Sequence, residues 1–265
     1  MLAQVPAISV FTLLGRHAAR WLVGWWRIVH FGAVVGVMAL SPGSYSRPQQ
    51  TAIARHMVLD TAPVLVWFTL LSSLLSVVIS RIVVVTALSY GLTQYALEML
   101  VRVLVIEIIP LTAALFVAVR CTMPHGEELA AMRLRGELNR MRDRGLDPMR
   151  HEVLPRAVAG LFSVAMLSVL AGAVALVLAY LATYGFTLWA LEGYTRTVGR
   201  VFSPTVVVVF LLKTLLFSLA VVLVPMGSAL HDPTRSRMSA EVRGLVRLFA
   251  LVLLIEAASL AVNIL

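Results

Sequence analysis

The sequence predicts an all-α integral membrane protein: a helical bundle of five transmembrane helices, preceded by an interfacial amphipathic helix and interrupted by one cytoplasmic helical segment. Three observations predict it. Of 265 residues, 60% are hydrophobic and 13% charged; a water-soluble domain carries about 25% charge, so that class is excluded. Apolar runs recur at about the 20 residues that a helix needs to cross a hydrocarbon core about 30 Å thick. The basic residues are concentrated in a few polar segments.

Residues 1–50 form an N-terminal unit. At about 100° per residue, Arg16, Arg20 and Arg27 fall within about 40° of one another, with Phe11, Leu14, Trp21, Leu22, Trp25 and Ile28 opposite. That pattern predicts a helix lying on the membrane surface with its tryptophans at headgroup depth. A signal peptide or a sixth span through about residue 41 would compete. Three arginines inside the apolar stretch argue against both, and no small-residue cleavage site stands out. SPGSYSRPQQ, 41–50, is a turn-rich linker.

Residues 51–265 form the membrane domain. The first span is the charge-free run 61–80, between Asp60 and Arg81; the second, about 95–120, contains Glu98, Arg102 and Glu107. Glu98 and Arg102 lie one helical turn apart and most simply pair with each other. Residues 157–191 carry no charge, too long a run for one straight crossing, so that helix should end near Tyr184 and Gly185. A fourth span covers roughly 204–230 around Lys213 and Pro225, and the last, about 245–264, contains Glu256.

Orientation follows the arginines, because short cytoplasmic segments retain Lys and Arg. With the N-terminus inside, 17 of the 22 basic residues fall on the cytoplasmic side, and five crossings leave the C-terminus outside. The net charge of +9 then reflects orientation and anionic lipid, and no nucleic-acid partner is expected. Cys121 is the lone cysteine, which excludes an internal disulfide; the six histidines show no ligand spacing, so no metal site is expected.

The one long polar segment, 121–156, lies on the cytoplasmic side. Mixed charges and the helical recurrence of Leu129, Met132 and Leu138 predict a helix over 127–144. Gly145 should stop it, and Asp147-Pro148 has the form of an N-cap followed by proline at the first helical position. Taken alone, this pattern also fits a solvated connector.

The segment GEELAAMRLRGELNRMRDRGLDPMRHEVLPR resembles the signature of the MlaE permease family, the membrane subunits of bacterial lipid-transporting ABC systems. Glu128, Met132, Arg133, Glu137, Asp147, Pro148, Pro155 and Arg156 are the matching positions. EIIPLTAALFVAVR is similar to the family's Glu-Leu-Gly-Pro segment and terminal Gly-Arg at Glu107, Pro110 and Arg120. LLKTLLF around Lys213 is similar to its Ile-Lys-Ser stretch, and Glu256 stands where an aspartate is usual. The register is colinear from about residue 50 to the end. Departures are Ile106 for an arginine, Ile109 for a glycine, Met123-Pro124-His125 for small residues, Ser80-Arg81 for Gly-Leu-Gln, and MSAEVRG for an Ala-Thr-Thr motif.

The resemblance implies a permease moving phospholipid or a similar hydrophobic molecule between the bacterial inner membrane and a periplasmic MCE-domain carrier. It implies a second permease subunit, identical or not, a cytoplasmic ABC ATPase and, in some systems, a STAS-domain protein. The chain lacks GxxxxGK[ST], so it is not expected to be an enzyme or to bind a cofactor; ATP and Mg would sit on the ATPase. The 127–152 segment would be the coupling helix, with Arg133, Glu137, Arg140 and Arg144 as docking face.

Ionisable residues at span depth must be paired or face a cavity. For Lys213 and Glu256 the simpler role is a salt bridge, with Glu107 or Glu256 on Lys213. Pro110 follows Glu107 by three residues and frees the carbonyl four residues back, so a kinked helix there would line a lipid path. In the first span Val66, Leu70, Leu74 and Val77 form a stripe near Ser72, Ser73, Ser76 and Ser80. Such a stripe serves helix packing or, given the resemblance, an acyl-chain cavity between two permease copies. The departures leave a second function open, a diverged non-transporting structural subunit. An intramembrane enzyme ranks last, since no catalytic constellation is visible.

Overall fold

In lipid every backbone N–H and C=O must find its partner within the chain, which makes long apolar runs helical. The computed structural model describes the backbone of residues 7–41, 43, 47–231 and 237–264; side chains are described in those ranges except at 7–22, 48, 93–94, 231, 237–243 and 262–264. The helices in order are α1 Ala7–Leu40, α2 Arg47–Ser89, α3 Thr93–Leu100, α4 Ile109–Val117, α5 Met123–Leu134, α6 Glu137–Asp143, α7 Leu154–Tyr184, α8 Leu191–Val201, α9 Pro204–His231 and α10 Arg237–Ile264. No strand occurs among the described residues. The protein is an all-α integral membrane bundle.

Six helical stretches among the described residues are long and apolar enough to cross a membrane, where the sequence reading counts five spans. The additional one is Val23–Leu40, the second half of α1. Length and apolarity alone do not separate a crossing helix from one lying along the interface. The amphipathic pattern expected of α1 rests largely on Phe11, Leu14, Arg16, Arg20, Trp21 and Leu22, which lie outside the described side chains. The described half buries Ile28, Phe31 and Val35, and a Cβ on Gly227 of α9 would lie 3.3 Å from Phe31.

Proline shapes the rods. Three π-helical turns, Val101–Ile108, Ala118–Thr122 and Met149–Val153, each end two residues before a proline: Pro110, Pro124 and Pro155. Proline has no N–H for the i→i−4 ladder, and a wider turn is one way the chain adjusts. The first two turns join α3, α4 and α5 into one continuous stretch, Tyr95–Leu134. In α9 the adjustment is different. Pro225 leaves the Val221 carbonyl without its helical donor, and the Thr122 hydroxyl donates to that carbonyl at 2.8 Å.

α9 is the hub of the packing. A Cβ on Gly160 of α7 would lie 2.8 Å from Val222, and one on Gly126 of α5 would lie 3.2 Å from the Pro225 carbonyl oxygen. Small residues permit this approach, the usual device where lipid supplies no hydrophobic drive between helices. α2 packs along α7 through its buried Ser72, Ser76 and Ser80, and Thr61 and Ser163 share a hydrogen bond of 2.7 Å. At the end of α7 Gly185 takes φ +67°, as expected of the stop there. Beyond it α8 caps the bundle. Buried Tyr194 donates to the Leu176 carbonyl at 2.7 Å and packs against Tyr180 and Tyr184. Burial, and secondarily Tyr184, pushes its phenol up to about 12, so the donor stays protonated.

Candidate functional site

A charge cluster sits in the bundle core. Lys213, 2% exposed, projects from α9 between Glu107 of the first π-helical turn and Glu256 of α10. Its ammonium pairs with Glu107 and lies 2.8 Å from Glu256 Oε2. It also donates to the Ile106 carbonyl at 3.5 Å, the group that Pro110 deprives of its helical donor. Sequence reasoning paired Lys213 with one acid or the other, and the structure brings both to it. With all three groups ionised the cluster holds one net negative charge, and buried Ile106 brings no charge to offset it. Glu98 and Arg102 lie 3.6 Å apart, as expected.

The polar segment departs from expectation at one point. The helix expected over 127–144 is broken: α5 ends at Leu134 and α6 begins at Glu137, with Gly136 between them at φ +72°. Glycine enters that left-handed conformation without a Cβ clash, and so the rod folds into a hairpin. Gly145, at φ +75°, closes α6 as expected, and Asp147 Oδ1 accepts from the Met149 N–H at 3.0 Å, the expected capping bond. Arg156, 5% exposed, reaches Glu128 Oε2 at 3.2 Å and also pairs with Glu152, tying α5 to the start of α7. Sequence reasoning found Arg156 as a motif match but not as this tie.

Arg133, Arg140 and Arg144 are exposed on the hairpin, as is Asp147; Glu137 and Met132 are half-buried and Pro148 is buried. Glu137 pairs with Arg135 at 2.9 Å. Leu134, 74% exposed between Arg133 and Arg135, is an apolar tip that the periodicity did not single out.

The residues expected along a substrate path do not share one surface. Val66, Leu70, Leu74 and Val77 are exposed on the outside of α2, whereas Glu107 and Pro110 are buried in the core. Ser72, Ser76 and Ser80 turn inward and the branched residues outward, because a helix with two apolar faces gives no cue to which one packs.

One grouping escaped the sequence entirely. His56 and Asp60 of α2 meet His125 of α5, with no two of their donor atoms more than 4.8 Å apart. Only the i,i+4 spacing of His56 and Asp60 was available as a signal.

Residues 53–262 match the family described as Permease MlaE. No curated protein matches the chain at a significant level. The family match covers most of the chain, from within α2 to near the end of α10, and takes in both the charge cluster and the hairpin. The chain therefore belongs to the MlaE permease family, whose members are membrane permeases of ABC lipid-transport systems.

Proposed function

We propose that this chain is the permease subunit of an MlaE-type ABC transporter that moves phospholipid, or a similar hydrophobic molecule, between the bacterial inner membrane and a periplasmic MCE-protein carrier. The observation that carries the reading is the α5–α6 hairpin. It is rooted in the bundle by Arg156 and presents Arg133, Arg140 and Arg144 to solvent. A cytoplasmic ABC ATPase docks there, and the stiff root passes its motion to the helices as a rigid-body displacement. A second permease subunit, the same chain or a relative, packs on the lipid-facing side, where Val66, Leu70, Leu74 and Val77 form a continuous apolar surface. A STAS-domain protein on the ATPase is a further partner in some such systems. Residues 127–152 face the cytoplasm, and the C-terminus faces the periplasm.

The test is co-expression with a neighbouring ATPase and MCE protein, purification in detergent, and identification of bound lipid by mass spectrometry, followed by transfer of labelled phospholipid from reconstituted vesicles. ATP-dependent transfer supports the reading. Assembly with the ATPase but no lipid and no transfer overturns it in favour of a structural subunit.

A further inference from the structure

We propose that His56, Asp60 and His125 form a binding site for a first-row divalent transition metal, with Zn²⁺ the best-matched ion, which clasps α2 to the root of the α5–α6 hairpin. His56 and Asp60 stand one turn apart on α2, and His125 enters from α5. His125 Nε2 lies 3.3 Å from Asp60 Oδ1, and His56 Nδ1 lies 3.9 Å from Asp60 Oδ2. Ligands on a tetrahedral zinc at about 2.0–2.1 Å stand about 3.4 Å from one another; the three donor atoms here, all within 4.8 Å of one another, would close to that spacing by a small side-chain adjustment.

A second observation points the same way. Asp60 Oδ2 and His125 Nδ1 are buried and have no hydrogen-bond partner, and an unsatisfied buried carboxylate oxygen is costly. Coordination would satisfy Asp60. Two imidazoles and one carboxylate are a borderline donor set that suits zinc and its neighbours better than calcium or magnesium, which take oxygen ligands. The Arg156 guanidinium, whose charge also acts on His56, is paired by both Glu128 and Glu152, which offsets its repulsion of a cation. Three protein ligands leave a fourth position open to water.

The ion would work mechanically. α5 is continuous with the second span and leads into the hairpin, while α2 is the first helix of the family-matched region. A metal bridge between them would stiffen the joint through which force on the hairpin reaches the bundle. The proposal concerns metal binding and holds whichever molecule is transported.

The test uses the full chain in detergent, carrying an affinity tag without histidine, stripped with a chelator and titrated with Zn²⁺ against a chromophoric competitor. About one Zn²⁺ per chain is expected, with Tm raised on binding. Asp60→Asn and His56→Gln should each weaken binding at least about tenfold, the least expected when a zinc site loses a supporting group. His30→Gln and His151→Gln should leave binding unchanged. His56 is part-exposed, so His56→Gln should keep the metal-free Tm of the parent, which separates loss of a ligand from loss of fold. Zinc uptake that is the same in Asp60→Asn and His56→Gln as in the parent overturns the proposal, as does a parent that takes up none.

Discussion

The Thr122 hydroxyl on one span donates at 2.8 Å to the Val221 carbonyl on another, supplying the donor that Pro225 withholds from its own helix. Both residues are buried, so the bond is part of the contact between the Ala118–Thr122 turn and α9, and neither group has water as a substitute. Thr122→Val should destabilise the fold by about 1–3 kcal/mol, the cost of an unsatisfied buried acceptor. In a Pro225→Ala background the backbone donor returns and the same change should cost less than half as much. Equal losses in both backgrounds, measured by denaturation in detergent, would show the bond to be idle.

The core charges make a second cycle. Lys213→Met strands one buried carboxylate, Glu107, and one half-buried one, Glu256, and should cost about 3–5 kcal/mol, the penalty for breaking a buried pair from one side. Adding Glu107→Gln and Glu256→Gln should recover most of that loss. A triple variant no more stable than Lys213→Met alone refutes the pairing as the reason for the burial.

Glycines at the hub and on the outer cap should respond with opposite signs. Gly160→Ala places a methyl 2.8 Å from Val222 and 3.1 Å from Thr122, and overpacking of this kind costs about 1–3 kcal/mol. Gly193, inside α8, has nothing within 4 Å of a Cβ, and alanine there should gain up to about 1 kcal/mol from helix propensity. Thermal scans of the two variants decide it.

Docking on the hairpin is tested by charge. Arg133→Glu with Arg140→Glu should abolish co-purification of the ATPase while leaving the stability of the chain within about 0.5 kcal/mol of the parent, since both sites are exposed. Leu134→Ser alone should weaken the complex, because an exposed apolar tip amid arginines resembles an interface anchor. An undiminished complex in both variants removes the hairpin from the interface.

Topology can be read with cysteine labels, because Cys121 is the only cysteine and Cys121→Ala clears the background. A cysteine at Arg140 should react only from the cytoplasmic side. A cysteine ahead of α1 should do the same: Arg16, Arg20 and Arg27 favour a helix held at the inner face over a sixth crossing. Periplasmic labelling at Arg140 would falsify the orientation.

Features that depend on neighbours along the chain were legible in the residues alone. Charge-free runs marked the membrane helices, glycine marked the end of α7 near Tyr184 and of α6 near Gly145, and Asp147 marked a cap, because partition into lipid and local backbone preference are read residue by residue. Pro110 predicted a freed carbonyl at Ile106, whereas the one that Pro225 frees at Val221 was not read from the sequence. Which group answers each came from the packing of the helices: Lys213 for Ile106 and Thr122 for Val221. The same limit hid His125 from Asp60, the joint hold of Glu107 and Glu256 on Lys213 where one or the other was expected, and the outward turn of Val66 and Leu70. Each depends on the height and rotation at which one helix meets another. Those are set by summed packing over whole helix faces, which no local stretch of residues encodes.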